Sequence, residues 1–253
     1  MRVRAAIFQP DTIFFYNPRT RSTRVFILAK KKACITWGGW DGHTPSASSM
    51  LVQDMLEEAG YEVDVKQTLK IYEDEKYLES LDLLVQCWTM STIEDKQVKG
   101  LIAAIMDGLG FVGWHGGMND SFRQSTDYEF LTGSNWVAHP GGIIDYDVDI
   151  VDVKKDDPIV KGLKGFHLKS EQYYINVDPA ILQGVNGEVL CTTTFHNFAM
   201  PWIDGVVMPV VYKRTWGDGK IFYISYGHTY VDFEVPEARE ILKRGLLWAT
   251  RQR

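Results

Sequence analysis

Three short apolar runs along the chain each break off in glycine and then histidine: Ala33-Cys-Ile-Thr-Trp-Gly-Gly-Trp-Asp-Gly-His43, Gly110-Phe-Val-Gly-Trp-His115-Gly-Gly and Ile221-Phe-Tyr-Ile-Ser-Tyr-Gly-His228-Thr. Apolar runs of this length, bounded by glycine, read as buried strands. From Ser46, apolar groups recur at helical spacing (Met50, Leu51, Met55, Leu56) up to a stop at Gly60. Tyr61-Glu-Val-Asp-Val alternates as a second strand, and Leu81 to Trp88 reads as a buried third. Ile93 to Leu109 forms an amphipathic helix, and Gly110 to Trp114 a fourth strand. Strands and helices alternating at this spacing predict right-handed βαβ units and a parallel sheet. The second half is less regular. Ile143 to Val153 alternates Asp145, Asp147 and Asp149 with apolar neighbours, which predicts a half-exposed strand near a sheet edge with solvated carboxylates. Met208 to Arg214 and Lys220 to Ser225 flank Thr-Trp-Gly-Asp-Gly as an antiparallel hairpin. A last helix follows Pro236, with Ile241, Leu242, Leu246 and Leu247 facing inward. The fold class is α/β, with a mostly parallel central sheet and antiparallel additions in the second half.

Composition narrows the reading. At 253 residues and 45% hydrophobic, residues 33–253 suffice for a single α/β domain. No apolar stretch reaches the roughly 20 residues a bilayer crossing needs, so no membrane span is expected. Residues 1–32 carry Arg2, Arg4, Arg19, Arg21, Arg24, Lys30, Lys31 and Lys32 against Asp11 alone, so the acidity behind the net charge of −6 lies in the remainder. An acidic body argues against nucleic acid as a partner. The basic leader reads as a poorly ordered extension: a transit-like peptide, a tail, or sequence upstream of the true start. The last is favoured because Lys31-Lys-Ala-Cys-Ile-Thr-Trp opens like a natural first strand. Cys34, Cys87 and Cys191 have neither metal-type spacing nor an even count, and read as reduced core residues of a cytoplasmic protein.

Open α/β sheets bind ligands at the carboxyl ends of their strands. His43, His115 and His228 are therefore predicted to line one pocket. The Gly38–His43 loop, with Trp40 and Asp41, would let backbone amides approach a ligand, or be only a tight turn. Its glycine spacing is not that of a dinucleotide fingerprint, and no Walker lysine follows. His115 stands where a nucleophile elbow would stand, offering imidazole in place of a thiol. Cysteine-based acyl transfer is thereby disfavoured. His115 and His228 read as an acid/base pair, or with His43 as ligands of a divalent metal such as zinc or manganese. Glu171, in the polar, turn-rich segment Ser170-Glu-Gln-Tyr-Tyr174 after His167, is the carboxylate best placed to face a histidine. Trp40, Trp88, Trp114 and Tyr226 lie near the same strand ends, as sugar-stacking faces or as core. His139-Pro-Gly-Gly and His196 to Trp202 are candidate rim segments.

In order and coverage these segments, with Met208-Pro-Val-Val-Tyr and Gly-Asp-Gly-Lys-Ile-Phe-Tyr, resemble the ThuA-like, or trehalose-utilisation, family. The resemblance implies a three-layer α/β/α sandwich of the class I glutamine amidotransferase-like, flavodoxin-like type. It also implies carbohydrate metabolism: a keto-sugar, glycoside or disaccharide derivative processed as by a lyase, hydrolase or isomerase through His/Glu acid-base or metal-assisted chemistry. Its partners would be a small-molecule sugar and, as homo-oligomer, further copies of the chain. The alternative is a non-catalytic sugar-binding or regulatory protein that keeps the scaffold without its cysteine. The acid/base set carried over is His115, Glu171 and His228, with His139 on the substrate side. Ser170-Glu171 stands where the family usually has an Asp-Glu pair, and the arginine the family often has just before His139-Pro-Gly-Gly is missing.

Overall fold

A computed structural model describes residues 12–17, 22–27, 30–196 and 199–253, the first two segments by their backbone alone. Within the basic leader, β1 (Thr12–Asn17) and β2 (Ser22–Ile27) pair as an antiparallel ribbon. The rest of the leader up to residue 29, on which the expectation of a mis-set start mainly falls, lies outside the described residues.

The first half alternates as its hydrophobic pattern requires: β3 (Lys32–Gly39), α1 (Pro45–Glu58), β4 (Glu62–Lys66), α2 (Glu75–Ser80), β5 (Leu83–Thr89), α3 (Asp95–Met106) and β6 (Gly110–Trp114). Local chemistry sets the boundaries. Pro45 opens α1, where its missing N–H costs nothing. At the start of α3, Glu94 and Gln97 close a reciprocal capping box. The short α4 (Gly116–Asn119) and α5 (Thr126–Thr132) then lead to β7 (Ser134–Ala138), β8 (Ile143–Ile150), β9 (Phe166–Glu171) and β10 (Tyr174–Val177). After α6 (Pro179–Leu182) come β11 (Gly187–Thr194), β12 (Val207–Trp216), β13 (Gly219–Ile224) and α7 (Pro236–Ala249).

Nine strands form one sheet in the order β4-β3-β5-β6-β13-β12-β11-β8-β9, and β7 pairs separately with β10. The neighbours from β4 to β13 are parallel, and those from β13 to β9 antiparallel. Layers of helix cover both faces. On one, Val52 and Leu56 of α1 and Ile241 and Leu246 of α7 join Ile35 and Val112. On the other, Val98 and Leu101 of α3 and Leu131 of α5 pack on Leu84 and Phe111. Leu247, expected on an inner helix face, is exposed, and so is Met50 from the apolar spacing of the first helix. Each adjoins an inward leucine, and one residue's step rotates a helical side chain by about 100°.

Two departures from the sequence reading build the site. Ser170-Glu171 ends a regular strand, because Phe166, Leu168 and Ser170 face inward while His167 and Lys169 face out. The strand is less apolar than a central one because it is the sheet's edge. Alternating directions also make β9 run the same way as β13, so Glu171 emerges at the edge where β3, β5, β6 and β13 end. In a flat sheet four strand spacings would hold it about 19 Å from β13. β8, however, pairs with β11 only through Asp149 and Ile150, and with β9 from Ile143 to Val148. The β8–β9 ribbon thus leaves the sheet and arcs back over the strand ends.

Candidate functional site

Each histidine is delivered by a backbone feature that its neighbours enforce. After β3 the chain presses against β5: a Cβ at Gly39 would lie 1.9 Å from the Thr89 carbonyl oxygen, and Trp40 N–H donates to that oxygen at 3.0 Å. A 3-10 turn over Asp41–His43 then points His43 inward. At the end of β6, His115 takes φ 47° and ψ −139°, the strained strand-to-helix elbow, and its N–H donates to Ile224 O at 2.7 Å. A Cβ on Gly116 would sit 2.5 Å from His43 Cε1, so glycine there lets the two loops meet. After β13, Gly227 at φ 100° turns the chain, and His228 follows. Thr44, Met90 and His115 are the three non-glycine residues with left-handed backbone among the described residues. Thr44 follows His43, and Met90 follows Thr89, which bonds His43. Such strain costs about 1–3 kcal/mol per residue and collects at functional sites.

Four of the chain's six histidines converge on Glu171. Its Oε2 stands 3.1 Å from His115 Nε2, 3.3 Å from His228 Nδ1 and 4.0 Å from His43 Nε2, while Oε1 stands 3.8 Å from His139 Nε2. The rings of His43, His115 and His228 cross one another steeply, at 68–79°, around that oxygen. Tyr173 stacks on His115 at 3.8 Å and backs it.

Hydrogen bonding fixes the tautomer of the central imidazole. His115 Nδ1 lies 2.8 Å from the Ser225 carbonyl oxygen, which can only accept, so Nδ1 carries the proton. Burial pushes His115 toward neutrality and His43 down to about 3, with the neighbouring imidazoles adding to the effect on His43. A neutral His115 turns its Nε2 lone pair on a carboxylate oxygen 3.1 Å away. Burial raises the Glu171 carboxyl, and proton donation from the facing His115 and His228 would lower it; with the His115 proton committed to Ser225 O, that ring withholds its donation. Two acceptors in contact require a proton or a cation between them.

The donor set meets the test for a divalent cation. The four ligand atoms of His43, His115, Glu171 and His228 lie within 4.8 Å of one another. About 2.1 Å from a tetrahedral zinc, ligand atoms stand roughly 3.4 Å apart, close to the separations from Oε2. Buried His228 Nδ1 lacks a hydrogen-bond partner, as a ligand nitrogen awaiting an ion would. His115 and His43 also have outer partners that orient ligand imidazoles, Ser225 O and, at 2.9 Å from His43 Nδ1, Thr89 Oγ1.

The remaining sequence candidates divide. Trp40, half exposed, meets His43 edge-on at 4.8 Å, and His139 leans toward Trp136 at the rim. Asp41 is exposed beside the cluster, its backbone carbonyl accepting from Thr44 N–H. Trp88 is half-buried against Gly38, with its indole N–H unpartnered. Trp114 and Tyr226 are not pocket residues. Trp114 packs on Phe233 in the core, and Tyr226 donates its hydroxyl to Ala238 O at the start of α7. Side chains alternate along a strand, so the residues flanking an inward histidine point to the sheet faces. His196 and Trp202 are exposed, His196 near Asp204. Asp145 and Asp147 are solvated as expected, both against exposed His167. Thr89, Tyr173, Ser225 and Asp232 escaped the sequence reading. Thr89 had a signal, since it follows the buried run Leu81–Trp88 as His43 follows its own strand.

A family model described as ThuA, trehalose utilisation, matches residues 32–249. No curated protein matches the chain. Among solved structures, a ThuA-like protein from Bacteroides uniformis has a TM-score of 0.68 at 16% identity, covering 88% of this chain and 92% of its own. One from Parabacteroides merdae has 0.66 at 16%, covering 89% and 93%. A cytoplasmic protein of Salmonella typhimurium has 0.62 at 9%, covering 87% and 100%. At these identities the structural likeness shows the α/β fold. Among the described residues no helix is long and apolar enough to cross a membrane.

Proposed function

Since the chain belongs to the ThuA family, described by trehalose utilisation, we propose that it acts on a keto-sugar or glycoside through metal-assisted chemistry at His43, His115, Glu171 and His228. The carrying observation is the contact between His115 Nε2 and Glu171 Oε2 at 3.1 Å, with the His115 proton committed to Ser225 O on the far side of the ring. These four residues would hold a divalent cation, whose chemistry there would be that of a Lewis acid toward a carbonyl or hydroxyl oxygen of the sugar. The protein's own groups do the rest. Glu171 and the three imidazoles would present one carboxylate oxygen and three ring nitrogens to such an ion. Trp40, half exposed beside His43, offers an aromatic surface suited to a sugar's C–H face. His139 Nε2, facing Glu171 Oε1 from the rim, is placed to orient a substrate hydroxyl. A glutamine amidotransferase is disfavoured, because the elbow holds imidazole and all three cysteines are buried.

Elemental analysis of tag-free protein tests the reading. Wild type is expected to carry one divalent ion per chain, lost from His115→Ala and His228→Ala. Incubation with oxidised disaccharides should then show turnover by the metal-loaded protein. A metal-free wild type sinks the metal-assisted reading. Sugar bound and recovered unchanged by a metal-loaded protein would make it a binding protein instead.

A further inference from the structure

Asp232 lies in the 3-10 turn Tyr230–Glu234 after β13, and it is 8% exposed. Its Oδ2 accepts three hydrogen bonds: from Ser170 Oγ at 2.6 Å, Gly227 N–H at 2.9 Å and His228 N–H at 3.0 Å. These donors come from two places that chain connectivity leaves independent. Ser170 ends the ribbon that arcs over the sheet, immediately before Glu171, while Gly227 and His228 form the turn leaving β13. His228 Nδ1 and Glu171 Oε2 meet at 3.3 Å only if both backbones are held in register. No β-pairing does this, since β9 and β13 are four strands apart in the sheet order.

We infer that Asp232 is a positioning residue that clamps the Ser170–Glu171 strand end to the Gly227–His228 turn and so sets the Glu171–His228 half of the metal site. A buried carboxylate oxygen with three donors makes charge-assisted bonds stronger than neutral ones. A carboxylate that fixes ligand backbones acts like other outer-shell partners of metal ligands, whose loss lowers metal affinity by about 10- to 100-fold. The inference also accounts for Ser170: its hydroxyl is the donor that couples the ribbon to Asp232, and an aspartate in its place would set two carboxylates against each other.

The inference rests on the metal reading, and two measurements on the full chain separate them. The first needs no metal. Proton–nitrogen correlation spectra of the histidine rings, taken in chelator, should show His228 displaced and broadened in Asp232→Ala relative to wild type. Exposed His167 and His196 should stay in place, which a general loss of structure would not allow. Coincident His228 signals in the two folded proteins would overturn the inference. The second is cobalt(II) titration with a competing chelator. Asp232→Ala should bind about tenfold or more weakly. Ser170→Ala should lose part of that, and Asp232→Asn, which keeps an acceptor, should recover most of it. Should Asp232→Ala bind cobalt as tightly as wild type, the inference fails. Were wild type itself to bind none, the metal reading alone would fail, and the ring spectra would still decide the role of Asp232. If Asp232→Ala does not fold, Ser170→Ala decides in its place: it too should displace the His228 signals, and their coincidence with wild type would overturn the inference.

Discussion

Replacing Glu171 by glutamine should raise stability without metal and remove most of the stability that metal adds. The amide keeps the shape of the carboxylate but replaces one acceptor oxygen by an N–H₂ donor. It can point that donor at His115 Nε2, 3.1 Å from Oε2 in the native side chain, or at His228 Nδ1, 3.3 Å away. A contact between acceptors becomes a hydrogen bond, worth about 1 kcal/mol net, and a buried charge disappears. Metal binding moves the other way. If four ligands share the roughly 12 kcal/mol typical of a structural zinc site, one share is about 3 kcal/mol, near a hundredfold in Kd. Denaturant unfolding in chelator and in zinc at a hundredfold excess over the wild-type Kd reads both effects. Wild type should gain about 2.7 kcal/mol from zinc, and the variant, now with zinc near its own Kd, only about 0.4 kcal/mol. A variant less stable than wild type in chelator, yet gaining as much from zinc, would refute the reasoning.

Gly116→Ala would place a Cβ 2.5 Å from His43 Cε1, displacing that ring; zinc affinity should fall about tenfold or more, against an overpacking cost of about 1–3 kcal/mol in unfolding experiments. The three cysteines are buried and burial pushes their thiols up, Cys34 to about 11 and Cys87 and Cys191 to about 12. Iodoacetamide should therefore label none of them in native protein and all of them in denaturant, as read by mass spectrometry. Asp147 and Asp145 raise the pKa of His167, so its contribution to stability is full below its unfolded value near 6.5 and fades as pH rises through the folded value. The difference in thermal midpoint between wild type and His167→Gln should shrink with rising pH, and a gap that grows would contradict the assignment.

What was legible in the sequence was whatever repeats with a period or ends in glycine. Buried parallel strands announce themselves as apolar runs, so β3, β5, β6 and β13 were visible, and with them the three histidines at their ends. Edge strand β9 was read as turn-rich because only one of its faces is buried and its outward positions, His167 and Lys169, are polar. Trp114 and Tyr226 show the limit of proximity along a chain. Each sits one or two residues from a pocket histidine, yet strand alternation and a glycine turn send it to the core. Asp232 had no signal, since its importance comes from what folds onto it.

Met90 and His115 hold left-handed backbone directly after strand ends that parallel pairing pins, and Thr44 holds it after the turn that carries His43. Torsional freedom that a ligand would otherwise have to remove is therefore already lost in the free protein. Association should then resemble the closing of a lock on a finished key: a single exponential whose rate rises linearly with ligand concentration, without the plateau that a slow rearrangement imposes. Selectivity at such a site would come from misfit, because a ligand of the wrong shape finds walls that do not move toward it.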